Sequence, residues 1–131
     1  MSQMHPYYVA YMGFSFCISC RTSCYQKQQL MEIIGKKYLV DFGMAQAILY
    51  FESQTSLTFT ITEKGGTVQN TKETVAVKLT MIRPHVLMAI WQEASGTTVT
   101  QVQDYENGII YSNWTRPGGE FYNAQGTIKP V

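Results

Sequence analysis

From Lys37 to Lys129 the chain is a train of short β-prone runs, each ended by a turn signal. That alternation is the signature of an all-β sandwich or barrel. The runs are Lys37–Phe42, Ala47–Glu52, Ser56–Glu63, Thr67–Asn70, Glu73–Ile82, Val86–Glu93, Thr97–Tyr105, Ile109–Thr115 and Glu120–Lys129. Gly43, Ser53–Thr55, Lys64-Gly65-Gly66, Arg83-Pro84, Ser95-Gly96, Asn107-Gly108 and Pro117-Gly118-Gly119 fall among them. Within Ser56–Glu63, Leu57, Phe59 and Ile61 share one face, and Thr58, Thr60 and Thr62 share the other. Asn107-Gly108 is the strongest short hairpin signal, because a type I′ turn needs positive φ at both central positions. With only short turns between runs, the sequence predicts an all-β fold. It is a small antiparallel up-and-down barrel, lipocalin-like, of about eight strands. A two-sheet sandwich is the alternative. Residues 26–34 allow a turn or two of helix, stopped by Gly35 and placed to cover one barrel end.

A chain of 131 residues fits one domain. At that size roughly two thirds of the unfolded surface is buried, so neither disulfide nor metal is needed for stability. The formal net charge of +1 points to no nucleic-acid partner and no membrane surface. The composition changes near residue 30. Residues 1–30 carry Arg21, Lys27 and no acid, and they hold all three cysteines, Cys17, Cys20 and Cys24. We read 1–30 as an N-terminal extension, poorly ordered or preceding the natural start at Met31, and 31–131 as the barrel. No Lys or Arg precedes its apolar stretch and Tyr7, Tyr8, Tyr11 and Ser15 dilute it, so a secretory signal is not expected, and it reads as too short and too polar for a spanning helix. Its C-x-x-C-x-x-x-C spacing leaves a zinc or iron–sulfur site one ligand short, and no βαβ setting supports a redox motif. With no cysteine in the barrel, the expected compartment is the cytoplasm.

Five short stretches carry a family resemblance. They are Gly35-Lys36-Lys37-Tyr38-Leu39-Val40-Asp41, Ile82-Arg83-Pro84-His85-Val86, Trp91-Gln92-Glu93, Asp104-Tyr105-Glu106-Asn107-Gly108 and Tyr111-Ser112-Asn113-Trp114-Thr115, with Gly126-Thr127-Ile128 closing the match. In this order, between Ile34 and Val131, they resemble the MoaF-like family of small lipocalin-like (calycin) proteins, related to a protein of molybdenum cofactor biosynthesis. The resemblance implies the barrel. It implies no particular chemistry, because fold does not fix function.

Function then turns on the inward side chains, since a barrel of eight strands either fills its interior or holds one small ligand. A two-residue turn at Asn107-Gly108 would set Tyr105 opposite Ile110, Gln103 opposite Ser112 and Gln101 opposite Trp114, with Val99 on the same face. Thr100, Val102, Asp104, Tyr111 and Asn113 take the other face. On the preceding run Leu87, Ala89, Trp91 and Glu93 share a face. The ligand-binding candidates are therefore Trp91, Glu93, Gln101, Gln103, Tyr105 and Trp114. Aromatic rings and carboxamides suit a cavity that stacks and orients a flat molecule. The plainer alternatives are core packing for the aromatics and a solvated rim position for Glu93. Buried beside Trp91, Glu93 would instead be raised in pKa and able to act as a general acid. His85 reads as a loop histidine and Arg83 as a surface ion-pair partner. No catalytic residue is assigned.

The barrel segment has one histidine and no cysteine, so no metal site is expected. No nucleophile elbow, phosphate loop or dinucleotide fingerprint occurs, and no cofactor is expected. Asn113-Trp114-Thr115 fits a glycosylation sequon, but it lies within a strand run. Three readings remain: a barrel binding a small hydrophobic or aromatic molecule, a small enzyme acting on an aromatic or cofactor-like substrate, or a structural module that forms a homodimer.

Overall fold

The computed structural model describes residues 27–131. The expectations about the N-terminal extension, its cysteines and the start at Met31 fall wholly or mainly outside those residues. Eight strands run β1 (Lys37–Asp41), β2 (Ala45–Phe51), β3 (Ser56–Lys64), β4 (Thr67–Arg83), β5 (Val86–Gln92), β6 (Thr98–Asp104), β7 (Ile109–Thr115) and β8 (Phe121–Pro130). Each pairs antiparallel with the next, and β8 returns to β1, so the sheet closes into a barrel. Closure removes both sheet edges and with them the unpaired backbone groups an edge would expose. The barrel expected from the sequence is the one observed, and the sandwich alternative is excluded.

Two local expectations need correction. Thr67–Asn70 and Glu73–Ile82 are not separate strands, because Thr71 and Lys72 pair with Ile61 and Thr60 and carry the ladder through. The fused β4 is 17 residues long and serves two neighbours in turn. Thr67–Ala76 pairs with β3, and Val77–Arg83 pairs with β5. The β6–β7 register also differs by two residues. Gln103 faces Ile110, Gln101 faces Ser112 and Val99 faces Trp114. The cause lies in the turn. Among its residues only Gly108 has positive φ, at 68°, so Asn107-Gly108 cannot be type I′. The Asp104 carboxylate instead accepts from the Glu106 and Asn107 backbone N–H groups and from Asn107 Nδ2, which builds a longer loop from Tyr105 to Gly108.

A helical segment over residues 27–33 lies across one end of the barrel. Ile33 joins the core, and the buried Gln29 accepts a hydrogen bond through Oε1 from the His85 backbone N–H at 2.8 Å. Gly35, at φ +82°, ends the helix in a conformation that disfavours side chains, and its N–H donates to the Phe51 carbonyl. His85 is exposed and sits at φ 65° in the β4–β5 turn after Pro84, the place where a type II turn requires positive φ. Arg83 makes a surface ion pair with Glu106 at 3.4 Å. Among the described residues no helix is long and apolar enough to cross a membrane.

Candidate functional site

Residues directly opposite one another in an antiparallel pair put their side chains on the same face. The register therefore resolves the lumen into rows. Across β4 to β8 one row reads Val77, Trp91, Val99, Trp114, Tyr122. The next reads Leu79, Ala89, Gln101, Ser112, Ala124. The third reads Met81, Leu87, Gln103, Ile110, Gly126. The first row lies toward the β5–β6 and β7–β8 turns. The third lies toward the helix.

All six candidates fall on this inner surface, but the structure divides them between the two ends. Gln101, Gln103 and Tyr105 form one chain running toward the helix-capped end. Tyr105 Oη donates to Gln103 Oε1, and Gln103 Nε2 donates to Gln101 Oε1 at 2.9 Å. Gln103 is fully buried at 0% exposure and Gln101 nearly so at 3%. Placing two carboxamides in an apolar core costs several kcal/mol unless they are hydrogen-bonded (~2–7 kcal/mol for an unpaired amide), and the chain bonds Gln103 at both its oxygen and its nitrogen and Gln101 at its oxygen. Burial raises the Tyr105 hydroxyl well above the usual phenol pKa, with the neighbouring Tyr38 a smaller contributor. The two rings meet edge-on at 5.0 Å, and Tyr38 meets Phe51 edge-on at 6.2 Å. Tyr38 is itself raised, first by burial and then by Glu32 on the helix.

Trp91, Glu93 and Trp114 belong to the opposite end, the mouth. Trp91 is buried, lies 6.1 Å from Phe59 and donates from Nε1 to Glu93 Oε2 at a long 3.4 Å. Trp114 is half-buried and meets Phe42 edge-on at 5.1 Å. Glu93 is neither core nor fully solvated. Its carboxyl is raised by burial above all and by Glu73 in addition, while the Trp91 hydrogen bond and Lys64 act the other way. Glu73 shares the lumen face with Phe59 and accepts from the Ala94 N–H at 2.7 Å. The fully solvated rim carboxylate of the plainer reading is thus replaced by a half-buried one.

Sequence reasoning missed three participants. Tyr38 and Phe42 alternate inward along the first strand, but their partners Tyr105 and Trp114 are distant in sequence and reach them only through closure. Glu73 needed the β3–β4 register, which the split of β4 into two runs concealed. Two surface depressions lie outside the lumen. One, of about 470 Å³, is lined by Lys27, Gln28, Met31 and Glu32. The other, of about 510 Å³, lies along β4 to β6 and is lined by Lys78, Ile90, Thr98 and their neighbours. Among the described residues no cluster of His, Cys, Asp or Glu could hold a metal ion.

Fold and lumen together define a small closed meander barrel whose mainly aliphatic interior includes aromatic rings and the buried polar side chains Gln101, Gln103 and Ser112. A model of the MoaF-like family matches residues 34–129, and the chain belongs to that family. The barrel is similar to that of a protein from Burkholderia vietnamiensis provisionally called a beta-lactamase. The two are 21% identical over 76% of this chain and 95% of the other, with a TM-score of 0.70. At that identity the likeness concerns the fold alone. No curated relative matches.

Proposed function

We propose that this MoaF-like barrel binds a small hydrophobic or aromatic molecule in its lumen, at Trp91, Glu93, Gln101, Gln103, Tyr105 and Trp114, without catalysing a reaction. The observation that carries the reading is the shared inner face of these residues, two indoles at the mouth and a run of polar groups beneath them. Apolar walls with a few converging polar groups are what small-molecule sites have in common. The barrel has no cysteine after Cys24, so it needs no oxidising compartment, and we place it in the cytoplasm. Native mass spectrometry of the full chain, before and after denaturation, tests the reading. The expected result is an added mass that leaves on denaturation. A bare protein mass, together with failure to bind any small aromatic added afterwards, overturns it.

A second reading has its own support. Glu93 is half-buried with a raised carboxyl, and the Tyr38–Tyr105 pair lies inside the barrel. A carboxyl whose pKa is raised by burial is suited to general acid catalysis on an aromatic or cofactor-like substrate. Turnover abolished by Glu93→Gln with ligand binding retained would separate an enzyme from a carrier.

A further inference from the structure

Beneath the two indoles the lumen-facing side chains become smaller. The row Leu79, Ala89, Gln101, Ser112, Ala124 replaces the bulky row above it with three small residues, one carboxamide and one leucine. Ser112 is 1% exposed, and its Oγ is the one buried side-chain polar atom without a hydrogen-bond partner among the described residues. A buried hydroxyl left unpaired is costly and calls for an explanation, a bound molecule being one. Directly across from it, Gln101 ends a directional relay. Tyr105 donates to Gln103, and Gln103 donates to Gln101 Oε1. The relay occupies the acceptor of Gln101 and leaves its Nε2–H groups as donors. The row therefore presents an amide N–H donor beside a hydroxyl that can also donate.

We infer that the Gln101–Ser112 row seats the carbonyl oxygen of a neutral aromatic molecule, its ring lying toward Trp91 and Trp114. This deepens the binding reading given above and rests on it. Two adjacent donors select an acceptor atom. The mouth decides that the acceptor is uncharged. Glu73 and Glu93 are the acids there, Lys64 is the base facing them, and the Arg116–Glu120 pair on the β7–β8 loop neutralises itself. A carboxylate would have to pass a mouth of net negative charge and lose its water in a lumen with no cation facing the row. An aromatic amide, lactam or ketone avoids both costs. It also pairs the Ser112 hydroxyl, which an apolar ring would leave unpaired.

The test compares benzamide, benzoate and toluene on the full-length protein, read by the NMR signals of the indole N–H groups. The chain has two tryptophans, Trp91 and Trp114, and both lie in the row above Ser112. Benzamide is expected to bind at least about tenfold more tightly than toluene and than benzoate, the gain of one or two buried hydrogen bonds. Ser112→Ala should remove the preference over toluene and leave toluene binding unchanged. It should also hold or raise the unfolding midpoint, since it deletes an unpaired hydroxyl. Toluene or benzoate binding as tightly as benzamide, or a preference over toluene that survives Ser112→Ala, overturns the carbonyl seat and leaves the binding barrel standing. Failure of all three to move either indole signal also overturns the carbonyl seat, and a bare mass in the native spectrum then overturns the binding barrel with it.

Discussion

The two ends of the barrel hold similar materials, aromatic pairs set among polar groups, and satisfy them differently. At the helix-capped end Tyr38, Phe51 and Tyr105 pack edge to edge, and the polar atoms of Tyr105 and Gln103 answer one another. The helix adds Ile33 to the core and ties itself to the β4–β5 turn through Gln29. At the mouth Trp114 meets Phe42 and Trp91 meets Phe59, but the polar groups are less fully used. Glu93 has one long hydrogen bond, and just below the indoles Ser112 has none. Fully connected polar networks rigidify a core, whereas incomplete ones gain from an added partner. One end is finished by the chain itself, and the other has unspent hydrogen-bonding capacity.

The largest expected effect tests that asymmetry in packing. Phe51 is 0% exposed beneath the cap, so Phe51→Ala should cost about 3–5 kcal/mol, measured by urea unfolding. Phe42 at the mouth is only partly buried, and Phe42→Ala should cost about 1–2 kcal/mol, from one aromatic pair and partial burial. Equal losses would erase the distinction between a finished end and an open one.

Most of the architecture was legible because strand alternation survives error. A two-residue slip in register keeps every side chain on its face. That is why all six candidates lie inward although the β6–β7 pairing differs from the simple hairpin. What the slip does change is the row. With Trp114 opposite Val99 rather than Gln101, Ser112 moves beside Gln101, and the row of small residues comes into being. The local cause, an Asp104 carboxylate capping loop amides, competes with the Asn-Gly signal and is not visible in a pattern of apolar residues. Contacts made by closure are less legible still. Tyr38 with Tyr105, and Phe42 with Trp114, join the first strand to the last third of the chain.

A smaller effect isolates the cap from the barrel it covers. Gln29 supplies the acceptor for the His85 N–H, a backbone donor held in a positive-φ turn. Gln29→Ala should cost at least about 1 kcal/mol, the net worth of the bond to His85. Amide exchange at His85 should quicken, while the indole N–H signals of Trp91 and Trp114 stay in place. Movement of those signals would mean that the two ends are mechanically coupled and that the contrast between them is overdrawn.

The smallest effect sharpens the account of the mouth through its pH dependence. Burial, aided by Glu73, lifts the Glu93 carboxyl above the usual range, and the Trp91 hydrogen bond and Lys64 oppose this without cancelling it. A group whose pKa is higher folded than unfolded holds its proton more tightly in the folded state. Its contribution is present at acid pH, below the unfolded value, and is lost as pH rises through the folded value. Wild-type protein should therefore lose stability relative to Glu93→Gln as pH rises above the ordinary carboxyl range. The glutamine keeps an oxygen to accept from Trp91 Nε1 and carries no charge at any pH. Because half the group meets solvent, the difference should stay under about 1 kcal/mol. A gap in unfolding midpoint that widens with pH supports a desolvated carboxyl facing a second acid. A gap that stays constant or narrows would make Glu93 an ordinary solvated carboxylate, and it would remove the general-acid reading.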